Sequence, residues 1–180
     1  MTVRLWAATK IVLICLLVAM MGIVIIPAYF LRAEGLRTGA IRTMLRGINL
    51  ILRVRVQVQG EASTHTPVIY VANHISYLDI PVLGCLLGAS FTPKAELASW
   101  PVLGWLARLN RPVFIDRRAA AAERDRDAIA QRIDLVGKVI IFPEATTGLG
   151  RDVLRFRSSF FSLAEGRSEE QPIDVQPITL

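Results

Sequence analysis

A histidine and an aspartate five positions apart, His74 and Asp79, are the residues in this sequence best suited to chemistry. On one continuous helix that spacing leaves the two about 140° apart around the axis, so they could not meet. At a turn they can. The apolar run Pro67–Ala72 reads as a buried strand, and the segment from Tyr77 to Leu87 as a helix. His74 then lies in a strand-to-helix connection, where α/β proteins commonly carry reactive groups. An Asp in the first helical turn can fold back and accept the Nδ1 proton. That contact fixes the tautomer and stabilises the imidazolium formed when Nε2 takes a proton. A His held this way is a general base. No Ser or Cys in the stretch has an evident claim to be a nucleophile, so the proton would come from a substrate hydroxyl. A second reading needs no chemistry, because Ser76-x-x-Asp79 also fits a capping box in which Asp79 only closes the helix N-terminus.

The remaining chain carries further short motifs. Asn73-His74-Ile75-Ser76-Tyr77-Leu78-Asp79 resembles the first signature of the glycerolipid acyltransferases, the lysophosphatidic acid acyltransferase family. Phe114-Ile115-Asp116-Arg117 resembles the second, Phe142-Pro143-Glu144-Ala145-Thr146 the third, and Val175-Gln176-Pro177-Ile178 the fourth, in the right order over about Val54 to Leu180. The resemblance implies that His74 and Asp79 form the catalytic pair. It implies that Arg117 holds the anionic headgroup of an acceptor and Glu144 bonds its polar part. Asn73, Ser76 and Thr146 are implied as further substrate-binding residues. The reaction implied is O-acyl transfer from a thioester, acyl-CoA or acyl carrier protein as co-substrate, to the hydroxyl of a lysolipid. Lysophosphatidic acid, yielding phosphatidic acid in phospholipid biosynthesis, is the default acceptor, and lyso-ornithine lipid the alternative. No organic cofactor and no metal are implied. A non-catalytic, membrane-anchored lipid-binding protein is the rival of another class.

Several positions depart from the family pattern. Asn110 stands where Gly is usual, Ala145 replaces the Gly of the third motif, and Thr147 replaces its Arg. Ala145 requires either a backbone without positive φ or some strain. Thr147 removes one charge from the headgroup site, for which Arg151, Arg155 and Arg157 are the nearby substitutes. Relatives generally continue beyond the fourth motif, so the chain reads as a short member or as one missing its closing elements, with a sheet edge exposed.

Composition sets the surroundings. The hydrophobic fraction of 53% in 180 residues is high for a soluble protein. Residues 1–60 carry eight basic groups against the single acid Glu34, whereas the whole chain is only +6. A basic N-terminal third beside a near-neutral remainder suggests an anionic membrane surface and not nucleic acid. Cys15 and Cys85 lie in apolar segments without metal-ligand spacing, as buried thiols in a reducing compartment would.

The elements that must position the pair follow in order. Ile11 to Leu31 is free of charge and long enough to span a bilayer as a helix. Pro27 permits a kink, so a re-entrant course is a second reading and a cleaved signal peptide a third. Leu36 to Leu52 reads as an amphipathic helix with Arg37, Arg42 and Arg46 as a basic stripe suited to headgroups. Arg53–Gln59 alternates with period two and predicts a half-buried strand. His65 is expected to be solvated. Further strands are expected over Phe91–Glu96, Arg111–Arg117, Lys138–Phe142 and Ile173–Leu180, with helices from Trp100 to Leu109 and from Ala119 to Val136. Strands alternating with helices predict an α/β fold with a mixed, mostly parallel sheet flanked by helices, behind an N-terminal membrane-associated helical segment. The domain boundary is expected near residue 52, between a membrane anchor with its interfacial helix (1–52) and an acyltransferase domain (53–180). The expected location is a membrane, in a bacterium the inner one, with the catalytic part on the cytoplasmic side.

Overall fold

The computed structural model describes residues 2–100, 103–109, 112–116, 122–157 and 172–180. It divides into a helical unit, Met1–Gln59 with Ile80–Gly88, and a sheet unit, Gly60–Asp79 with Ala89–Leu180.

The helical unit contains α1 (Thr2–Phe30), α2 (Glu34–Leu52) and all but the first residue of α3 (Asp79–Leu87). From Arg4 to Phe30, α1 is long and apolar enough to cross a membrane, and it is continuous through Pro27. Leu5, Ile11, Leu16, Ile23 and Phe30 are exposed along it. Such a surface is stable in lipid and costly in water, so the chain is membrane-associated. The turn at Leu31–Ala33 sends α2 back antiparallel: Lys10 Nζ donates to Leu52 O at 3.3 Å, and Gly47 faces Leu17. A Cβ on Gly47 would come within 2.5 Å of Leu17 Cδ2, so glycine sets how closely these helices approach.

The expected basic stripe of α2 is divided. Arg37 is only 2% exposed and pairs with Glu34, while Arg42 donates to the Cys85 and Leu86 carbonyls at 3.1 and 3.3 Å. Those carbonyls sit at the C-terminus of α3, where helical partners run out. Asn49 donates to Pro81 O at 3.0 Å. Of the three arginines Arg46 is exposed without such an anchor, and Leu36, expected on the apolar face, is exposed as well. Helical spacing orders the side chains around α2. It does not say that α3 will return from downstream to cover part of the charged side.

The sheet unit is built on β1 (Val68–Ala72), β2 (Ser90–Phe91), β3 (Lys138–Ile141) and β4 (Asp174–Ile178), in the order β2-β3-β1-β4 with every pairing parallel. β1 is buried at all five positions, as a strand enclosed by neighbours and covered on both faces must be. Ile69, Val71, Val139 and Ile141 form the core with Ile129 and Ile133 of α5 (Ala122–Val136) and with Ile115. The two α5 residues are four apart and share one helical face. Tyr70 donates its hydroxyl to Ser63 O at 3.1 Å. Burial pushes that phenol above its ordinary pKa, so it stays a donor.

Three expected strands change. Arg53–Gln59 is unpaired and mostly exposed, because alternation specifies two faces but supplies no neighbouring edge. The strand expected over Phe91–Glu96 is instead β2 at Ser90–Phe91, one residue earlier and only two long, and a 3₁₀ turn follows at Ala95–Ser99. Within 112–116 the single bridge is Ile115 to Lys94. α4 occupies Leu103–Leu109. His65 is solvated as expected, and its Nδ1 also lies 3.2 Å from Asp174 Oδ2, which accepts the Ser63 hydroxyl at 3.0 Å. That carboxylate comes from β4, beyond the reach of local spacing. Pro177 sits on β4, an edge strand of this sheet, where proline is tolerated.

Candidate active site

Two loops leave the C-terminal ends of the neighbouring parallel strands β1 and β3, and they build the site. The first, Asn73–Leu78, carries His74 and runs into α3, whose first residue is Asp79. Asp79 is buried, and its Oδ2 lies 2.6 Å from His74 Nδ1. The same oxygen accepts the Ile75 N–H at 2.8 Å and the Ser76 N–H at 3.0 Å. The contact with His74 and the capping contact with the turn are therefore made by one and the same atom of Asp79. The carboxylate organises the turn through two backbone donors and orients the imidazole through a third. With Nδ1–H donating to a carboxylate, the Nε2 lone pair is left to accept a proton.

The second loop holds His74 from beneath. Phe142, at the end of β3, stacks on the imidazole with ring centres 4.2 Å apart and planes inclined by 20°. Glu144 is buried; its Oε1 accepts the His74 N–H at 3.1 Å and its Oε2 the Leu154 N–H at 3.0 Å. The His74 carbonyl accepts the Gly148 N–H at 2.7 Å. Both backbone groups of His74 are thus fixed by the loop after β3, and the side chain by Asp79 and Phe142. An imidazole whose backbone donor, backbone acceptor and ring face are all engaged is held in one orientation.

The other anticipated site residues fall into place unevenly. Asn73 clasps the chain after β4: its Oδ1 accepts the Leu180 N–H at 2.8 Å and its Nδ2 donates to Leu180 O at 3.3 Å. Its amide extends the β1–β4 pairing by one side chain. Ser76 Oγ accepts the Leu78 N–H at 3.2 Å. Thr146 is exposed on the second loop. Arg117 lies outside the described residues. Asp116, beside it in sequence, receives Arg124 Nη2 at 3.5 Å, and Lys94 pairs with Glu96 at 2.7 Å on the surface. Ala145 adopts φ +59, so the alanine in the third motif takes the strained alternative. Phe142 as a ring platform and Gly148 as a backbone donor escape sequence reasoning; the one available signal is an aromatic at the strand end just before Pro143-Glu144. Among the described residues, no three His, Cys, Asp or Glu side chains gather closely enough to hold a metal ion.

Comparison with known proteins places this geometry. Residues 53–180 match the acyltransferase family. A lyso-ornithine lipid O-acyltransferase of Rhizobium meliloti is 34% identical over 135 residues, covering 73% of this chain and 46% of the relative. A 1-acyl-sn-glycerol-3-phosphate acyltransferase of Neisseria meningitidis is 33% identical over 130 residues, covering 71% and 51%. The chain spans about half the length of these curated relatives. The crystal structure of the 1-acyl-sn-glycerophosphate (LPA) acyltransferase of Thermotoga maritima shares the fold, with a TM-score of 0.67 over 97% of this chain and 83% of that one at 20% identity. With a family match running from the first residues after α2 to the last of the chain, and a His–Asp pair at the heart of it, this protein belongs to the acyltransferase family.

Proposed function

We propose that the chain transfers a fatty acyl group from a thioester, acyl-CoA or acyl carrier protein, to the hydroxyl of a membrane lysolipid. The observation that carries this reading is the 2.6 Å contact between His74 Nδ1 and Asp79 Oδ2 at the C-terminal end of a buried parallel strand. Nε2 of His74 takes the proton of the acceptor hydroxyl as its oxygen attacks the thioester carbonyl. Asp79 stabilises the imidazolium. The tetrahedral intermediate collapses by breaking the C–S bond, and the departing thiolate recovers the proton from Nε2. An ester and a free thiol result. A positioned base of this kind contributes roughly 10²–10⁴ in rate. No covalent enzyme intermediate and no cofactor are needed. In this reading residues 1–52 anchor the protein in a bacterial inner membrane and residues 53–180 work at its cytoplasmic face.

The expected acceptor is 1-acyl-glycerol-3-phosphate, with Arg117, Glu144 and Thr146 toward its polar end. Lyso-ornithine lipid is a second reading favoured by a specific observation: Thr147 stands where a phosphate-binding Arg is usual, and several relatives at 33–34% identity bear that substrate in their names. A charge-assisted hydrogen bond is worth roughly 1.5–3 kcal/mol, so one donor more or less shifts preference about ten- to a hundred-fold. The test is thiol release from acyl-CoA with each lysolipid, for wild type and Arg117→Ala. Release that depends on a lysolipid is expected. Release at the same rate without any lysolipid would make the protein a thioesterase and sink the transfer reading. A loss in Arg117→Ala confined to 1-acyl-glycerol-3-phosphate assigns the phosphate; an equal loss on both acceptors removes Arg117 from headgroup recognition.

A further inference from the structure

The loop after β3 does more than support His74. Beyond Gly148, whose N–H is bonded to the His74 carbonyl, the chain turns outward and presents apolar side chains to solvent: Leu149 is 92% exposed and Val153 65%. Tyr77, on the companion loop, is 78% exposed. The two loops touch, since Gly150 packs on Ile75, where a Cβ on the glycine would lie only 3.5 Å from Ile75 Cγ2. Arg151, Arg155 and Arg157 are exposed in the same segment, against the single acid Asp152. Water is a poor solvent for this combination. Exposed apolar side chains in a segment that also carries exposed guanidinium groups match the boundary between acyl chains and anionic headgroups.

We infer that Leu149–Arg157, together with Tyr77, is a membrane-docking rim of the sheet unit that seats the His74 site on an anionic bilayer. Leu149 and Val153 enter the acyl boundary, Tyr77 lies at headgroup level, and the arginines meet lipid phosphates. The rim differs from the hydrophobic anchor in α1 because it belongs to the loop that fixes both backbone groups of His74. The purpose given to it rests on the acyl-transfer reading, since a lysolipid hydroxyl lies at the membrane surface. The surface itself rests on exposure and charge alone.

The experiment uses the full chain in vesicles without any substrate, so its outcome is independent of whether the acyl-transfer reading holds. In a Cys15→Ser/Cys85→Ser background, an environment-sensitive fluorophore is attached at Leu149→Cys, and in a control at Asp127→Cys on the solvated side of α5. Vesicles are made of phosphatidylethanolamine with phosphatidylglycerol, or of phosphatidylcholine, and carry a lipid-borne quencher. The Leu149 label is expected to be blue-shifted and quenched several-fold more than the Asp127 label in the anionic vesicles. Arg151→Glu/Arg155→Glu should remove most of that difference, and phosphatidylcholine should weaken it. A Leu149 label as wet as the control overturns the inference. So does quenching indifferent to both lipid charge and the arginine reversals.

Discussion

The two loops that build the site have the same place in the fold and opposite character. The loop after β1 is short and closed upon itself: one oxygen of Asp79 gathers the imidazole and two backbone donors. The loop after β3 is long and turns its middle to the outside. Its contribution to the site is a set of supports, Phe142, Glu144 and Gly148, from which it runs outward to Leu149 and the arginines. The first loop fixes its imidazole through its own Asp79, while the His74 backbone is held by the second. Of the departures from the family pattern, Ala145 and Thr147 lie in the second loop and none in the His74-to-Asp79 signature.

The sharpest way to break this contrast is at Asp79. In Asp79→Asn the amide oxygen can still accept the Ile75 and Ser76 N–H groups, so the turn should keep its stability. The negative charge that supports the imidazolium is lost. We expect kcat/KM in the thiol-release assay to fall by about 10² or more, toward the loss in His74→Ala of roughly 10²–10⁴, with little change in Tm. A clear drop in Tm with activity retained would make Asp79 a helix cap and nothing else.

A smaller effect separates the loops at Glu144. Glu144→Ala leaves the part-buried His74 and Leu154 N–H groups without their acceptor, at a cost of about 1 kcal/mol or more in total. Stability should fall, and activity with it, because His74 is no longer held. Glu144→Gln keeps one acceptor oxygen and should lose less than Glu144→Ala. Equal loss of activity in both variants with no change in Tm would instead assign Glu144 to the substrate.

The smallest effect is expected at Ala145. Its φ of +59 costs an alanine about 1–2 kcal/mol relative to glycine, offset by about 0.4–1 kcal/mol of unfolded-state entropy that glycine adds. Ala145→Gly should therefore raise stability by about 0.5–1 kcal/mol with the site chemistry unchanged. A fall in thermal unfolding temperature would show that the alanine methyl group makes contacts that outweigh its strain.

Legibility in the sequence follows the same division. Spacing shows that His74 and Asp79 can meet at a strand-to-helix turn, but it also fits a capping box, and the resemblance to the family singled out the pair. Glu144 meets His74 from 70 residues away through its backbone, which no side-chain motif reveals. Asn73 reads as part of a substrate signature, yet its amide is engaged by Leu180 across the sheet. Arg53–Gln59 has the period of a strand without an edge to join, whereas Arg37 has the look of a headgroup-binding cation and lies buried beside Glu34. Each of these differences turns on what the rest of the chain does or does not bring alongside.

The sequence by itself determined the α/β class, the apolar span of α1, the buried strands β1 and β3 and the His–Asp turn. Those features rest on periodicity, composition and short-range geometry, joined for the His–Asp turn by the resemblance of its signature to a family, all of which a linear chain already contains. Only the tertiary structure decided that β3 would lie beside β1. That adjacency puts Phe142 under the imidazole and Glu144 under its N–H, and turns Leu149 and the arginines outward from the same loop. Parallel pairing is set by which edges are free once the core has closed, and that is a property of the whole sheet, which no single segment encodes.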